Sequence, residues 1–408
     1  MKFLAFALPI VFLVEHSFSS SFNRVHAVTF STLVSMPGGQ SAGPSGNIAF
    51  DGSYIYGTTD PAIVGAIGTV YRVAADGSSF ETLHSFDYPL GGYEPTGVTL
   101  VNGLLYGTTA TGGPTVTGQG GTEGSGVLYS LSTVVNAFDI LHTFRIPVGF
   151  PATTVISDGS ALYGTTTASN PGAIYRANVD GTGFEVLHTF DTTSGSYSLA
   201  PLTLSGSTLY GTTSGFSALG NKDGTIFSMD TDGSGFQVLH TFTGTSQPIA
   251  PSALLLIGTT LYGTTQLGGA SGDGMVFRMN VDGSGFQVLH SFSGGDGASP
   301  LTGLTYLNSH LYGTTELGGT QNDGVIFSLN PDGSGYDVVH SFSGSDGSQP
   351  LSALVGAGST LFGTTSTGGA NGAGTVFAIV VPEPQGLLLS TLAAICVVGI
   401  TARGWWRR

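Results

Sequence analysis

The tetrapeptide Tyr-Gly-Thr-Thr recurs along this chain at a nearly constant interval, and no other feature limits the fold as tightly. It begins at Tyr56, Tyr106, Tyr163, Tyr210, Tyr262 and Tyr312, and Phe-Gly-Thr-Thr begins at Phe362. The intervals are 50, 57, 47, 52, 50 and 50 residues. A second element, Leu/Val-His-Ser/Thr-Phe, carries His84, His142, His188, His240, His290 and His340. Self-similarity at a fixed period of this size is the mark of a repeat architecture, in which each repeat is one supersecondary unit.

The copy from Pro300 to Phe342 can be read as strands and turns. Leu304 to Leu307 reads as a strand, Asn308-Ser309 as a turn, and His310 to Thr315 as a second strand. A loop follows from Leu317 to Asp323, then a third strand from Val325 to Leu329. Asp332-Gly333-Ser334-Gly335 supplies a hairpin turn with glycine for positive φ, and Tyr336 to Phe342 forms the fourth strand. Four short strands in roughly 50 residues is the content of a β-propeller blade; a parallel β-helix uses shorter coils. The expectation is an all-β, seven-bladed β-propeller over residues 28–381, with blades near 44–86, 95–144, 151–190, 201–242, 251–292, 300–342 and 350–380. The last copy lacks its fourth strand. Phe30 to Met36 aligns with Phe80 to Phe86, so residues 28–36 are expected to complete the last blade and close the ring. Strict alternation puts Phe286, Val288, His290 and Phe292 on one face of a fourth strand and Leu289 on the other.

Composition agrees with this reading. Sixty-six of the 408 residues are glycine, without the Gly-X-Y period of collagen. A hydrophobic share of 40% argues against disorder. Cys396 is the one cysteine, which excludes a disulfide scaffold. Residues 28–381 hold five basic residues against 23 acids, a net −18. That argues against nucleic acid or anionic lipid as the partner of the folded part.

The ends differ from the middle. Met1-Lys2-Phe3, an apolar run to Val14 and the sequence Val25-His26-Ala27 have the form of a Sec signal peptide, expected over 1–27 with cleavage after Ala27. The C-terminal part, 382–408, holds Pro382-Glu383-Pro384, a 17-residue apolar run over 386–402 expected to span a membrane as a helix, then Arg403, Arg407 and Arg408. This order closely resembles the PEP-CTERM sorting signal. The resemblance implies Sec export, an inner-membrane intermediate, processing by an exosortase-type enzyme near the Pro-Glu-Pro motif, and delivery to the cell surface or extracellular matrix of a Gram-negative-type bacterium. The repeat itself resembles the GloVer tandem repeat of exported bacterial proteins. Leu-Tyr-Gly-Thr-Thr, the pairs Gly268-Gly269, Gly318-Gly319 and Gly368-Gly369, Gly-x-Val/Ile-Phe, Asp-Gly-Ser-Gly-Phe and Leu-His-Ser-Phe carry that resemblance. It implies architecture and export, not a reaction. The first and third copies lack the Gly-Gly, and the second has Val134-Val135-Asn136-Ala137 in place of the Asp-Gly turn.

No repeated residue makes an obvious catalytic centre. Six histidines around a ring are not one site with different groups in named roles, so a hydrogen bond within each blade is their expected role. The Thr-Thr pairs are expected in cross-strand hydrogen bonds. Gly39-Gln40-Ser41-Ala42-Gly43 matches the nucleophile-elbow pattern, but Pro37 and Pro44 flank it and no helix follows. Asp223, Asp273 and Asp323 hold equivalent loop positions, Asp296 and Asp346 sit between blades, and Glu123 lies in the long loop of the second copy. These acids are either turn residues or oxygen ligands for Ca²⁺, the one cofactor suggested. The expected role is a binding or structural module contacting polysaccharide or a surface protein. The alternative is a propeller-type glycosidase or lyase, which requires acids converging where one blade departs from the repeat.

Overall fold

The computed structural model describes residues 28–38, 43–60, 68–87, 91–114, 124–145, 148–167, 172–191, 193–214, 224–243 and 250–382. Every regular element among them is a β-strand. The sixth unit shows the pattern. Thr305–Leu307, His310–Thr315, Val325–Leu329 and Asp337–Ser341 form an antiparallel meander in sequence order. The inner strand is broken in the third unit into Phe150–Pro151 and Ile156–Ser157, and in the last into Ser348–Pro350 and Val355–Ala357. The first two units join through one parallel bridge, Asn47 to Gly97. In the last unit the outermost strand comes from the other end of the chain. Thr29–Ser35 pairs antiparallel with Thr375–Val380, from Thr29 opposite Val380 to Ser35 opposite Thr375.

The core lies between units. Tyr262, Val276 and Phe292 of the fifth unit pack with Leu304, Leu311 and Phe327 of the sixth. The same arrangement continues around, and Phe362, Val376 and Ala378 of the last unit pack with Ile48, Ile55 and Tyr71 of the first. Each sheet is buried on both faces, so its strands need no apolar/polar alternation.

One expectation about faces is corrected. Phe286 stacks against His240 of the previous unit, whereas His290 stacks against Tyr336 of the next. The register shifts between the pairs Val276–His290 and Phe277–Val288. A β-bulge at Leu289 therefore moves Phe286 and His290 to opposite faces and leaves Val288 42% exposed.

The glycine of each Gly-Thr-Thr has a steric cause. A Cβ on Gly313 would lie 2.5 Å from the Phe327 ring and 2.9 Å from Leu304. The third-strand aromatic lies across the glycine in every unit. In the last four units it is Phe227, Phe277, Phe327 or Phe377, facing Leu202, Leu254, Leu304 or Leu354. In the first three it is Tyr71, Tyr129 or Tyr175, and the leucine position holds Ile48, Val98 or Val155. The larger ring goes with the side chain that reaches less far. Phe327→Tyr should therefore destabilise the protein by ~2 kcal/mol, through overpacking and a buried hydroxyl. Adding Leu304→Val should recover part of that loss. Denaturant unfolding of both single variants and the double variant checks it; strict additivity would disprove the matching.

Candidate functional site

The repeated histidines form the seams between units. Each imidazole lies flat on the first aromatic of the next unit's outer strand: His84 on Phe138 at 3.9 Å, His142 on Phe184 at 3.6 Å, His188 on Phe236 at 3.7 Å and His240 on Phe286 at 4.2 Å. His290 takes Tyr336 at 3.6 Å, and His340 takes Phe30 of the N-terminal strand at 3.8 Å. The expected hydrogen bond within every blade is thus corrected. His290 and His340 bond Asp296 and Asp346, each at 2.9 Å, but the Nε2 atoms of His84 and His188 are buried without a partner. Stacking is the shared role, because a neutral imidazole offers a flat face as phenylalanine does.

Burial holds the pKa values of His84, His142, His188, His240 and His340 below the usual imidazole value, and His142, also beside Arg145, falls to about 4. In the unfolded chain these groups bind protons near pH 6.5. Their stabilising effect is complete above that value and is lost as pH falls toward the folded values. The melting temperature should be flat above pH 7 and decline between pH 6.5 and 4. Asp60 and Glu316, whose pKa values burial raises, oppose this but are fewer. His142→Gln should reduce the slope in a pH series of melting curves.

The threonine pairs are spent inside the scaffold. In the second to fifth units the first hydroxyl reaches the next unit, as Thr264 donating to Thr302 O at 2.9 Å and Thr108 to Thr153 O at 3.1 Å, whereas Thr58, Thr314 and Thr364 bond residues earlier in their own unit. The second bonds the third strand of its own unit, as Thr213 with Thr225 at 2.8 Å.

The acidic loops gather in pairs. The Asp273 and Asp323 carbonyls accept from Ser299 and Gln349 in the connections that carry Asp296 and Asp346. These four aspartates therefore share one face. Asp296 accepts from Ser293 N at 2.8 Å while bonding His290, and Asp346 does the same with Ser343 N and His340. Asp323 accepts from Ser348 Oγ at 2.7 Å. Among the described residues no group of three or more His, Cys, Asp or Glu could hold a metal. Asp223, Glu123, Ser41, Glu383, Pro384, Arg403, Arg407 and Arg408 lie outside the described residues; Pro382 is the last one described.

Two features were not read from the sequence. Asp60 stands directly after the first Gly-Thr-Thr, where most units carry an uncharged residue. Burial and the neighbouring charge of Glu94 raise its pKa to about 6, and its Oδ1 is buried without a partner. A carboxyl that titrates near neutrality can take up or release a proton in catalysis. Its departure from the repeat was the available signal. Second, a cleft of about 290 Å³ opens among the inner strands of the first three units, lined by Asn47, Phe50, Thr99, Leu100, Thr154 and Ile156. No lining residue is ionisable.

A family described as the Gloeobacter/Verrucomicrobia repeat matches residues 115–260 and 250–391. The chain belongs to this family. The Gloeobacter/Verrucomicrobia repeat thus covers most of the strand-bearing chain. No curated protein matches. Among solved structures, the oligogalacturonate lyase of Vibrio parahaemolyticus is 12% identical at a TM-score of 0.52, over 88% of this chain and 98% of that one. A puromycin-hydrolysing peptidase of Mycobacterium tuberculosis is 12% identical at a TM-score of 0.54, over 79% of this chain and 48% of that one. At such identity the likeness is one of fold, and that fold is β-propeller-like.

Proposed function

We propose that this member of the Gloeobacter/Verrucomicrobia repeat family is an exported surface module that binds an uncharged polysaccharide. In this reading residues 28–381 form a closed seven-bladed propeller, with a signal peptide before it. A PEP-CTERM-type tail, 382–408, holds it in the membrane until an exosortase-type enzyme acts. The cleft carries the reading. The Asn47 amide beside Phe50, Leu100 and Ile156 suits hydroxyl-rich, partly apolar sugar faces, while the Thr99 and Thr154 hydroxyls, which donate to Val155 O and Thr96 O, retain only acceptor capacity. The −18 charge of residues 28–381 disfavours polyanions. A glycan array probed with residues 28–381 tests it: retention of neutral glycans, weakened by Asn47→Ala, is expected. Retention of none, or retention indifferent to that change, would refute it.

A second reading, a carbohydrate-active enzyme, is favoured by one observation, the Asp60–Glu94 pair between the first two units. Turnover of a polysaccharide that Asp60→Asn abolishes would establish it in place of simple binding.

A further inference from the structure

The two ends of the described chain leave the fold at one corner. Thr29 lies opposite Val380 in the antiparallel pair, so the N-terminal strand starts where the last strand stops. Val381 is buried and donates its N–H to Ser359 O at 2.8 Å, in the turn before the second strand of that unit. The chain is thus held by packing as far as Val381. Only residues 383–385 then separate Pro382 from the apolar run 386–402, a reach of at most ~14 Å.

This corner lies on the face that carries the hairpin turns between third and fourth strands. Equivalent contacts link those turns to the first-to-second-strand turns elsewhere, as Ala75 N to Ser53 O and Val281 N to Thr259 O. The Asp296 and Asp346 loops lie on the opposite face. On the turn face the units differ in chemistry. Asp76, Asp180, Asp232, Asp282 and Asp332 occupy the turns of the first, third, fourth, fifth and sixth units. The second unit instead presents Val134 and Val135, 85% and 72% exposed. The corner itself presents Val28 and Val380, 42% and 43% exposed. Arg72 of the first unit donates to Thr133 O at 3.1 Å and steadies the valine tip.

We propose that this face is a lipid-contacting surface: with the apolar run 386–402 in the bilayer, Val28, Val380 and the Val134-Val135 tip rest in the headgroup region. Asp76 of the first unit, exposed between the corner and the valine tip, stays in the hydrated headgroup layer, while the aspartate turns of the third to sixth units tilt away, repelled by anionic lipid, and the Asp296 and Asp346 loops point outward. The proposal rests on the membrane-held tail argued above. Short reach fixes the corner near the bilayer, and the exposed valines make contact there favourable, since apolar side chains gain by leaving water at an interface.

The full chain carrying Cys396→Ser is placed in vesicles of phosphatidylethanolamine and phosphatidylglycerol. A single cysteine at Val134, Ser334 or Ser345 carries an environment-sensitive fluorophore. Several-fold stronger quenching by headgroup-bound quencher is expected at position 134 than at 334 or 345. Flotation with the vesicles but equal quenching at all three positions would overturn the lipid-facing surface alone. Failure to float would overturn the membrane-held tail, and this surface with it.

Discussion

Deleting residues 28–36 lowers the melting temperature sharply, the largest effect expected of any change to this chain. The deletion removes the partner of Thr375–Val380 and leaves that strand as a bare sheet edge. It takes away Phe30, which covers His340 and packs edge-on against Phe342. It also removes Met36, buried between the last and first units with Leu33 and Val34 beside it. Burying one large apolar side chain is worth roughly 1.5–3 kcal/mol, so the combined loss is on the order of 5 kcal/mol or more. Both the sixth-to-seventh and the seventh-to-first seams are weakened together. Differential scanning calorimetry of residues 28–381 against 37–381 measures it. An unchanged melting curve would mean that the N-terminal strand does not hold the seam. Phe30→Ala alone should cost about 2 kcal/mol and guards against aggregation of the deletion.

Gly313→Ala should destabilise the protein by about 3 kcal/mol, although it adds one methyl group to a strand. Gly313 does not adopt a positive φ, so the backbone would accept alanine. The obstacle is space: the new Cβ would sit 2.5 Å from Phe327 Cζ, in a core where Phe327 is fully buried. A residue of higher strand propensity thus weakens the strand. Gly313→Ala combined with Phe327→Leu should recover stability, because the ring that occupies the Cβ position is gone. Urea unfolding of the three proteins decides it. A neutral Gly313→Ala would show that the ring moves aside freely. Gly358→Ala provides the contrast, since nothing lies within 4 Å of its Cβ position and its φ of +59 is the only obstacle.

Much of the scaffold was legible because each unit repeats the same local chemistry. The strands of the sixth unit could be placed from Leu-Tyr-Gly-Thr-Thr, Gly-Val-Ile-Phe and Asp-Gly-Ser-Gly, within a residue or so of where they lie. The pairing of the N-terminal strand followed from its alignment with Phe80 to Phe86. The fourth-strand faces did not follow. Alternation with period two presumes an unbroken ladder, and the bulge at Leu289 leaves no local mark in the sequence. The role of the histidines was missed for a related reason. For five of the six the covered aromatic lies 42 to 54 residues further along, in the next unit, and for His340 it is Phe30 near the other end of the chain. Asp60 shows the limit for sites. Its residue type was visible, but burial and the nearby Glu94 charge, which shift its pKa, exist only when two units meet.

By itself the sequence determined the repeat, its strands and turns, the family and the acidic balance, because these depend on residues close together in the chain. The tertiary structure decided which face each side chain takes, which aspartates are already spent on histidine and serine, and where the two chain ends leave. The cleft and the shared corner of Thr29 and Val380 join residues up to 351 positions apart. No local pattern encodes such a meeting. It arises when both faces of every sheet must be buried and the first unit becomes the last one's neighbour.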